Sequence, residues 1–333
     1  MPLRTRLTER FGIEHPILSA PMGGLAGGRL AAAVTRAGGL GLIGGGYGDG
    51  EWLGRQFSAA GNERVGCGFI TWSLAKKPEL LDQVLVRSPA AVMLSFGSPA
   101  PFAARVKESG ASLICQVQSV AHARTAVSVG ADVIVAQGGE AGGHGGNRST
   151  ITLVPEVADY LAGVAPDTLL VAAGGIADGR GLAAALMLGA DGALIGSRLV
   201  ACSETATPPG FLPAIVAADG DSTIKTRVID IVRNYDWPEE FRGRALRNRF
   251  LDAWHDREGA LQEIATNKVE NERYWRAFHS GDAENTGVFM GEAAGLIRDV
   301  RPAGKILSDM VSQAKGLLES GRQRVSGMNK NRA

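Results

Sequence analysis

A glycine-rich segment around a single histidine is the first feature of this sequence with catalytic potential. Between Gln137 and Arg148, six glycines surround His144. Histidine is the side chain whose ordinary pKa lies nearest to neutrality, so it can take up and return a proton. Flanking glycines let a flat ligand approach the backbone closely. The segment therefore predicts a catalytic role for His144 in proton transfer.

Two further glycine-rich loops have the composition of a phosphate site. Gly174 and Gly175 follow one apolar run, and Gly196 and Ser197 follow the next. Backbone N–H groups that no side chain covers, beside the start of a helix, bind phosphate oxygens through hydrogen bonds. Such glycines can also serve only to make tight turns, but two of these loops together favour a phosphorylated ligand.

The segment Ala20-Pro21-Met22-Gly23 follows the first apolar run. Proline fixes the turn and glycine opens the backbone, so the segment could form a wall for a planar ring or could simply end a strand.

The other reactive side chains carry weaker signals. Glu140 could orient His144 or cap its loop, and the residues alone leave both interpretations open. Cys67, Cys115 and Cys202 lie in apolar or helix-like contexts, which are typical of packing residues rather than nucleophiles. No metal-ligand cluster is visible in the spacing of the cysteines and histidines.

A repeated helix-to-strand junction must position these loops. Four times a helix-like segment ends on a glycine and continues into a short apolar strand, at Gly38, Gly110, Gly130 and Gly189. Glycine accepts the left-handed conformation that ends a helix, and uninterrupted apolar strands are typical of a parallel sheet buried on both faces. Strands are predicted near residues 16–20, 40–44, 64–70, 90–95, 112–117, 132–136, 168–173 and 191–195.

Eight strand–helix units in about 205 residues predict an α/β fold, namely a (β/α)₈ barrel. A doubly wound sheet is the alternative, and Gly39 to Gly44 even matches GxGxxG by letter. We reject this match because a dinucleotide fingerprint follows a strand and opens a helix, whereas these glycines lie before and within a strand. The active site is therefore expected at the carboxyl ends of the barrel strands.

Beyond about residue 205 the composition changes. Residues 225–285 hold 11 basic and 12 acidic side chains and three of the five tryptophans, which indicates helices with charged outer and aromatic inner faces. We expect a barrel formed by 1–204 and 286–320, a helical insertion over 205–285, a final helix ending near residue 318 and a flexible tail over 321–333. The insertion could be a lid over the barrel mouth, a passive appendage or a dimer face.

Overall charge and cysteine usage exclude several classes of protein. The 35 basic and 34 acidic side chains give a net charge of +1, so no basic field attracts nucleic acid or anionic lipid. Three cysteines are too few for a disulfide framework and indicate a reducing compartment. The sequence shows neither a secretory apolar run at its start nor the ~18 uncharged residues that cross a bilayer. We therefore expect a cytoplasmic protein.

Several of these segments together resemble one known family. They are A-P-M-G at 20–23, Q-G followed by E-A-G-G-H within 137–144, A-G-G-I at 173–176, G-S at 196–197 and G-x-x-x-G-L-I at 291–297. Over nearly the whole chain they resemble the nitronate monooxygenases, formerly called 2-nitropropane dioxygenases. The E-A-G-G-H segment is the most specific part. The resemblance implies a flavoprotein built on a TIM barrel with FMN as cofactor.

The resemblance also implies roles for individual residues. The FMN phosphate would be held by Gly174, Gly175, Gly196 and Ser197. The isoalloxazine would be lined by Ala20, Pro21, Met22 and Gly23. Further cofactor contacts would come from Gln137 and Gly143, and the residue above the flavin, facing the substrate, would be His144.

Two positions depart from the family pattern. Thr71 stands at the third strand exit, where relatives often carry an asparagine near the flavin, and it can still donate one hydrogen bond to the cofactor. Its neighbour Trp72 is bulky enough to reshape the pocket. Glu292 stands where a glutamine is common.

The implied reaction is oxidation of an alkyl nitronate, with FMN and O₂, to a carbonyl compound and nitrite. His144 would abstract the α-proton of a neutral nitroalkane or donate a hydrogen bond to the nitro oxygens. FMN-dependent enoyl-ACP reductases and some quinone reductases share the glycine–histidine loop, so an NAD(P)H-dependent reductase is the alternative. A flavin-binding barrel without turnover is a third hypothesis. The sequence leaves the physiological substrate and a possible homodimer open.

Overall fold

The eight predicted strands lie side by side in one parallel sheet. The structure, a computed structural model, describes residues 3–265 and 268–325. Within these residues the strands are β1 Ile17–Ser19, β2 Leu42–Gly44, β3 Gly66–Ile70, β4 Ala91–Ser95, β5 Ser112–Val117, β6 Val133–Gln137, β7 Gly143–Gly145, β8 Leu169–Ala173, β9 Gly192–Ile195, β10 Thr223–Thr226 and β11 Arg242–Leu246. All strands except β7, β10 and β11 belong to the large sheet, at the positions that the sequence predicts.

The large sheet closes into a barrel. Its strand order is β1-β9-β8-β6-β5-β4-β3-β2, and every pair is parallel. The two ends meet where the Leu40 N–H donates to the Ile17 carbonyl at 3.0 Å and the Ser19 N–H donates to the Leu40 carbonyl at 3.0 Å. With no free edge left among these strands, the fold is the predicted (β/α)₈ barrel.

Helices alternate with the barrel strands and then form most of the segment that follows β9. They are α1 Arg6–Phe11, α2 Gly28–Arg36, α3 Gly50–Ala60, α4 Thr71–Leu74, α5 Glu79–Leu85, α6 Ala100–Glu108, α7 Val120–Ser128, α8 Thr150–Val164, α9 Gly179–Met187, α10 Ser197–Val200, α11 Leu212–Ala217, α12 Val228–Arg233, α13 Arg249–Trp254, α14 Glu258–Ala265, α15 Val269–Ser280 and α16 Ala303–Val325. Short 3₁₀ turns occupy Pro209–Phe211 and Glu292–Leu296. Across the described residues, none of the helices combines the length and the apolar composition needed to cross a membrane.

Glycine ends the helix at each of the four predicted junctions. Gly38, Gly110, Gly130 and Gly189 have φ values of 87°, 82°, 71° and 95°, a conformation that costs other residues energy. The rejection of the GxGxxG match is also confirmed, because Gly39 and Gly41 precede β2 and Gly44 ends it, whereas a dinucleotide fingerprint follows a strand.

Side chains that alternate along the barrel strands belong to two separate apolar clusters. Leu18, Leu42 and Met93 belong to a cluster inside the barrel, whereas their neighbours such as Ile17 and Ile43 pack under the helices. Leu7 and Phe11 of α1 join the inner cluster, and Leu7 reaches Gly192 at the start of β9. Because α1 closes this end, the opposite end, where the strands finish, is left for a site.

The insertion over 205–285 is only partly helical. Besides α11 to α15 it contributes β10 and β11, which pair antiparallel with each other. β11 also pairs with β7, the short strand that carries His144. These two strands were not predicted, because both are short and only partly buried and therefore lack the apolar runs of the barrel strands.

The final helix is longer than predicted. α16 continues to Val325 instead of ending near residue 318, so residues 321–325 of the predicted tail are helical. The rest of that tail, 326–333, lies outside the described residues.

Candidate active site

A single cavity at the carboxyl ends of the strands gathers nearly all predicted site residues. Eleven of the twelve line it, at the end of β6, on β7 and in the segments that follow β1, β8 and β9. They are Ala20, Pro21, Met22, Gly23, Gln137, Gly143, His144, Gly174, Gly175, Gly196 and Ser197. The structure therefore brings together residues that lie up to 177 positions apart in the chain.

Thr71 is the predicted residue that does not line the cavity. It begins α4, is 2% exposed, and its Oγ1 is buried without a hydrogen-bond partner. The lining at the β3 exit is formed instead by Phe69 and Ile70. A contact between Thr71 and the cofactor stays a prediction.

The wall formed by residues 20–23 rests on glycines. A Cβ on Gly68 of β3 would lie 2.3 Å from Cγ of Pro21, and one on Gly44 of β2 would lie 2.5 Å from the Met22 carbonyl oxygen. Only glycine permits these approaches, so the loop lies directly on the strands. The wall thus presents its surface to the cavity without an intervening side chain from β2 or β3.

One glycine in each of the two predicted phosphate loops leaves open space above the backbone, whereas a Cβ on Gly174 would lie 2.9 Å from Thr150 Oγ1. A Cβ on Gly196 would meet its nearest neighbour, Cβ of Ala20, at 3.5 Å, and a Cβ on Gly175 would meet only the Glu140 side chain, from 3.6 Å. The Oγ atom of Ser197 accepts a hydrogen bond from the Gly291 N–H at 2.9 Å, which leaves the hydroxyl hydrogen available for a ligand. A cradle of this kind suits an anionic group.

Backbone pairing and a chain of amides hold His144 in place. His144 lies on β7 opposite Gly243 of β11. The Gln137 Nε2 group donates to the His144 carbonyl at 3.0 Å, while its Oε1 accepts from Gln116 at 3.1 Å and Gln118 at 2.9 Å. Gln137 therefore positions the histidine strand in addition to lining the cavity.

The imidazole of His144 is hydrogen-bonded to Asp230, a residue of the insertion. Its Nε2 lies 2.9 and 3.0 Å from the two carboxylate oxygens, and the two residues are only 7% and 3% exposed. The carboxylate accepts hydrogen bonds, so it favours the tautomer with the proton on Nε2 and leaves Nδ1 able to accept a proton. Trp237 stacks on the ring, with centroids 3.4 Å apart and planes 3° from parallel.

Sequence reasoning missed Asp230. It lies 86 residues from His144, inside the acidic and basic window of the insertion. A signal was nevertheless present, because Asp230 is a lone carboxylate in the apolar run V-I-D-I-V at 228–232. A charged residue at a core position of a helix needs a partner, and here the partner is the catalytic candidate.

Glu140 caps a helix and does not orient His144. Its carboxylate accepts from the Thr150 N–H at 2.9 and 3.0 Å and from Thr150 Oγ1 at 2.9 Å, at the start of α8. Of the two roles left open by the sequence, the contacts support capping.

An aromatic wall extends from His144 across the cavity. Trp237 donates from Nε1 to the Tyr47 hydroxyl at 3.1 Å, and Tyr47 stacks on Tyr235 with centroids 3.8 Å apart. Burial raises the pKa of Tyr47 well above its ordinary value, so the phenol stays neutral. Trp72, which departs from the family pattern, packs edge-on against Trp237.

Glu292, the second departure, forms an ion pair with β11. Its Oε1 lies 2.8 Å from Arg244 Nη2, and Arg244 also donates from Nε to the Gly139 carbonyl at 3.2 Å. Through Arg244, Glu292 therefore links the segment 291–297 to the glycine-rich loop that carries His144.

The cysteines are packing residues, as predicted. All three are buried and free of disulfides. Burial raises the pKa of Cys115 to about 12 and that of Cys202 to about 11, and it raises the pKa of Cys67 further. A thiol that stays protonated is a poor nucleophile.

Comparisons with known proteins agree with this architecture. The model of the nitronate monooxygenase family matches residues 4–61 and 72–313. The interval between the two matches contains β3 and Thr71, the strand exit that departs from the family pattern.

Individual relatives cover most of the chain. A nitronate monooxygenase of Neurospora crassa is 34% identical, over 90% of this chain and 89% of its own length. A 5-hydroxy-7a-methyl-1-oxo-octahydro-1H-indene-4-carboxyl-CoA dehydrogenase of Rhodococcus jostii is 30% identical, over 95% of this chain and 91% of its own length. The structure of FabK from Thermotoga maritima superposes with a TM-score of 0.85 and 32% identity, over 97% of this chain and 99% of that one. Because the family model spans most of the chain and the relatives are oxidoreductases, the chain is an oxidoreductase that belongs to the nitronate monooxygenase family.

Proposed function

We propose that this chain oxidises alkyl nitronates, with FMN and O₂, to a carbonyl compound and nitrite. The observation that carries the proposal is the buried His144–Asp230 pair, because it opens on the cavity lined by the predicted cofactor residues. A hydrogen-bonded base beside a flavin site is what proton abstraction from a nitroalkane requires.

The residues present fit FMN. Gly175 and Gly196 leave room for the phosphate, Ser197 retains a free donor, and residues 20–23 offer a wall for a planar ring. FMN, when bound, supplies the oxidation–reduction chemistry of the reaction. The protein contributes binding, orientation and proton transfer.

His144 handles the proton. With a neutral nitroalkane, its Nδ1 accepts the α-proton, and the Asp230 carboxylate stabilises the positive charge that forms on the ring. With a nitronate anion, the protonated ring donates a hydrogen bond to a nitro oxygen. Stacked Trp237 holds the ring plane, so the histidine does not lose orientation between these states.

The test is product analysis in air. Purified protein loaded with FMN should release nitrite and an equal amount of carbonyl compound from ethylnitronate. Protein that stays colourless after incubation with FMN, or a yellow protein that releases no nitrite, would contradict the proposal.

An NAD(P)H-dependent or thioester-directed oxidoreductase is the second candidate. The similarity to a carboxyl-CoA dehydrogenase over 95% of this chain favours it. Anaerobic mixing of the yellow protein with ethylnitronate and, separately, with NADH and NADPH separates the candidates by which mixture loses flavin absorbance. Rapid bleaching by a nicotinamide alone would support the second candidate.

The phosphate cradle can be tested at Gly196. Its φ is −106°, and an added methyl group would meet protein atoms only at ordinary contact distance. Gly196→Ala should therefore leave folding intact but raise the dissociation constant of FMN at least about tenfold, which corresponds to roughly 1.4 kcal/mol. Gly54→Ala in α3, where a Cβ also meets nothing within 4 Å, is the matched control. Equal FMN affinity in both variants, measured by flavin fluorescence, would place the phosphate elsewhere.

We infer that the insertion covers the barrel mouth as a lid. Six of its residues line the cavity: Thr207, Phe211, Arg233, Trp237, Tyr274 and Phe278. Filling the cavity with FMN should slow tryptic cleavage within 205–285, because bound ligand adds contacts to that segment. Cleavage elsewhere in the chain is the internal reference. Unchanged cleavage of 205–285 would indicate a passive appendage.

A further inference from the structure

The aromatic wall of the cavity contains a cation that proton transfer and the predicted cofactor site leave unused. Arg233 is the last residue of α12 and lines the cavity. It lies three positions after Asp230, and residues with this spacing share one face of a helix. The same helix thus carries the partner of His144 and a guanidinium group.

The guanidinium is enclosed by ring faces. Its central carbon lies 4.6 Å from the ring centroid of Tyr235, 4.9 Å from that of Trp275 and 5.2 Å from that of Tyr47. Its Nε is buried without a hydrogen-bond partner among the described residues. Aromatic faces stabilise the positive charge. The guanidinium also has a side-chain hydrogen bond with Tyr235, which leaves other N–H groups for a ligand.

Arg233 and His144 line the same cavity and are connected through two aromatic side chains. Arg233 contacts Tyr47, Tyr47 accepts a hydrogen bond from Trp237, and Trp237 stacks on His144. The cation and the imidazole therefore lie on one continuous wall of one cavity. A small substrate that reaches His144 comes within the field of this charge.

We propose that Arg233 binds the planar anionic group of the substrate. A guanidinium presents two parallel N–H donors, which match two oxygens on one planar centre. In taking that group to be the nitronate, the inference rests on the proposed function. Arg233 then favours the ionised nitronate over the neutral nitroalkane, because only the anion adds the attraction between opposite charges to these hydrogen bonds.

Nitrate is the probe, since it is planar, anionic and inert to oxidation. Its binding to the FMN-loaded protein is measured by calorimetry at constant ionic strength, so no turnover is involved. Arg233→Met should weaken nitrate binding roughly 10- to 100-fold, the range expected for hydrogen bonds to a charged group. Arg233→Lys should restore part of the affinity, because it keeps the charge but not the two-pronged donor.

Arg249→Met is the control, because that side chain is 81% exposed on α13. It should bind nitrate as the wild type does. Circular dichroism checks folding, and Arg233→Gln serves as a second neutral variant if the methionine variant unfolds.

Arg233→Met should also lower kcat/KM for ethylnitronate at least tenfold more than kcat/KM for nitroethane.

The outcomes separate this inference from the proposed function. If the wild type binds nitrate through Arg233 but releases no nitrite from nitronates, the anion site stands and the proposed reaction fails. If the wild type oxidises nitronates while neutral variants at Arg233 bind nitrate with unchanged affinity, the inference is overturned. Absence of saturable nitrate binding to the wild type overturns it as well.

Discussion

His144→Ala is expected to lower kcat/KM for nitroethane by about 10² to 10⁴-fold, the range typical for loss of a general base. In our proposal the neutral nitroalkane loses its α-proton to His144, which is buried and lines the cavity. Ethylnitronate, which has already lost that proton, should be affected less. Steady-state kinetics with both substrates measures the difference.

The matched control for this variant is His279→Ala, at the exposed end of α15. Both proteins should retain FMN, as judged from the flavin absorbance, because in our proposal the barrel loops, and not His144, hold the phosphate. Unchanged turnover of every substrate by FMN-loaded His144→Ala protein would show that the histidine has no catalytic role.

Asp230→Asn is expected to approach the same loss, about 10² to 10⁴-fold in kcat/KM for nitroethane. The variant preserves volume but removes the negative charge that stabilises the protonated imidazole. In addition, the asparagine amide can donate to Nε2, which shifts the ring proton to Nδ1 and occupies the atom that must accept a proton.

The kinetic pattern identifies the role of Asp230. Loss confined to kcat, with little change in KM, would indicate that the carboxylate acts when the proton moves. Asp236→Asn, an exposed acidic residue six positions further along, should behave as the wild type. If Asp230→Asn retains full activity, the hydrogen bond to His144 only supports packing.

The expected effects of these variants divide the proposed function between the two parts of the chain. The barrel supplies the predicted cofactor loops and the histidine loop, whereas the insertion supplies Asp230, Trp237 and Arg233. In our proposal FMN binding depends on the barrel loops, and substrate choice depends on the insertion. Exchange of the insertion between relatives should therefore alter substrate preference more than cofactor affinity.

Local sequence determined the barrel. Short apolar runs and helix-ending glycines such as Gly130 and Gly189 act within a few residues, so each strand could be located without knowledge of its neighbours. The glycine-rich loops were visible for the same reason, because their composition alone permits a ligand near the backbone. Parallel topology then requires all strand ends to meet on one side.

Only the tertiary structure decided which side chains hydrogen-bond to and stack on His144. Glu140, four residues away, turned out to cap α8, whereas Asp230, 86 residues away, forms the hydrogen bond. The pairing of β7 with β11 and the stacking of Trp237 arise in the same way, from two distant segments that meet. Such contacts have no periodicity along the chain, because their geometry is set by how the insertion folds back over the barrel rather than by any local conformational preference.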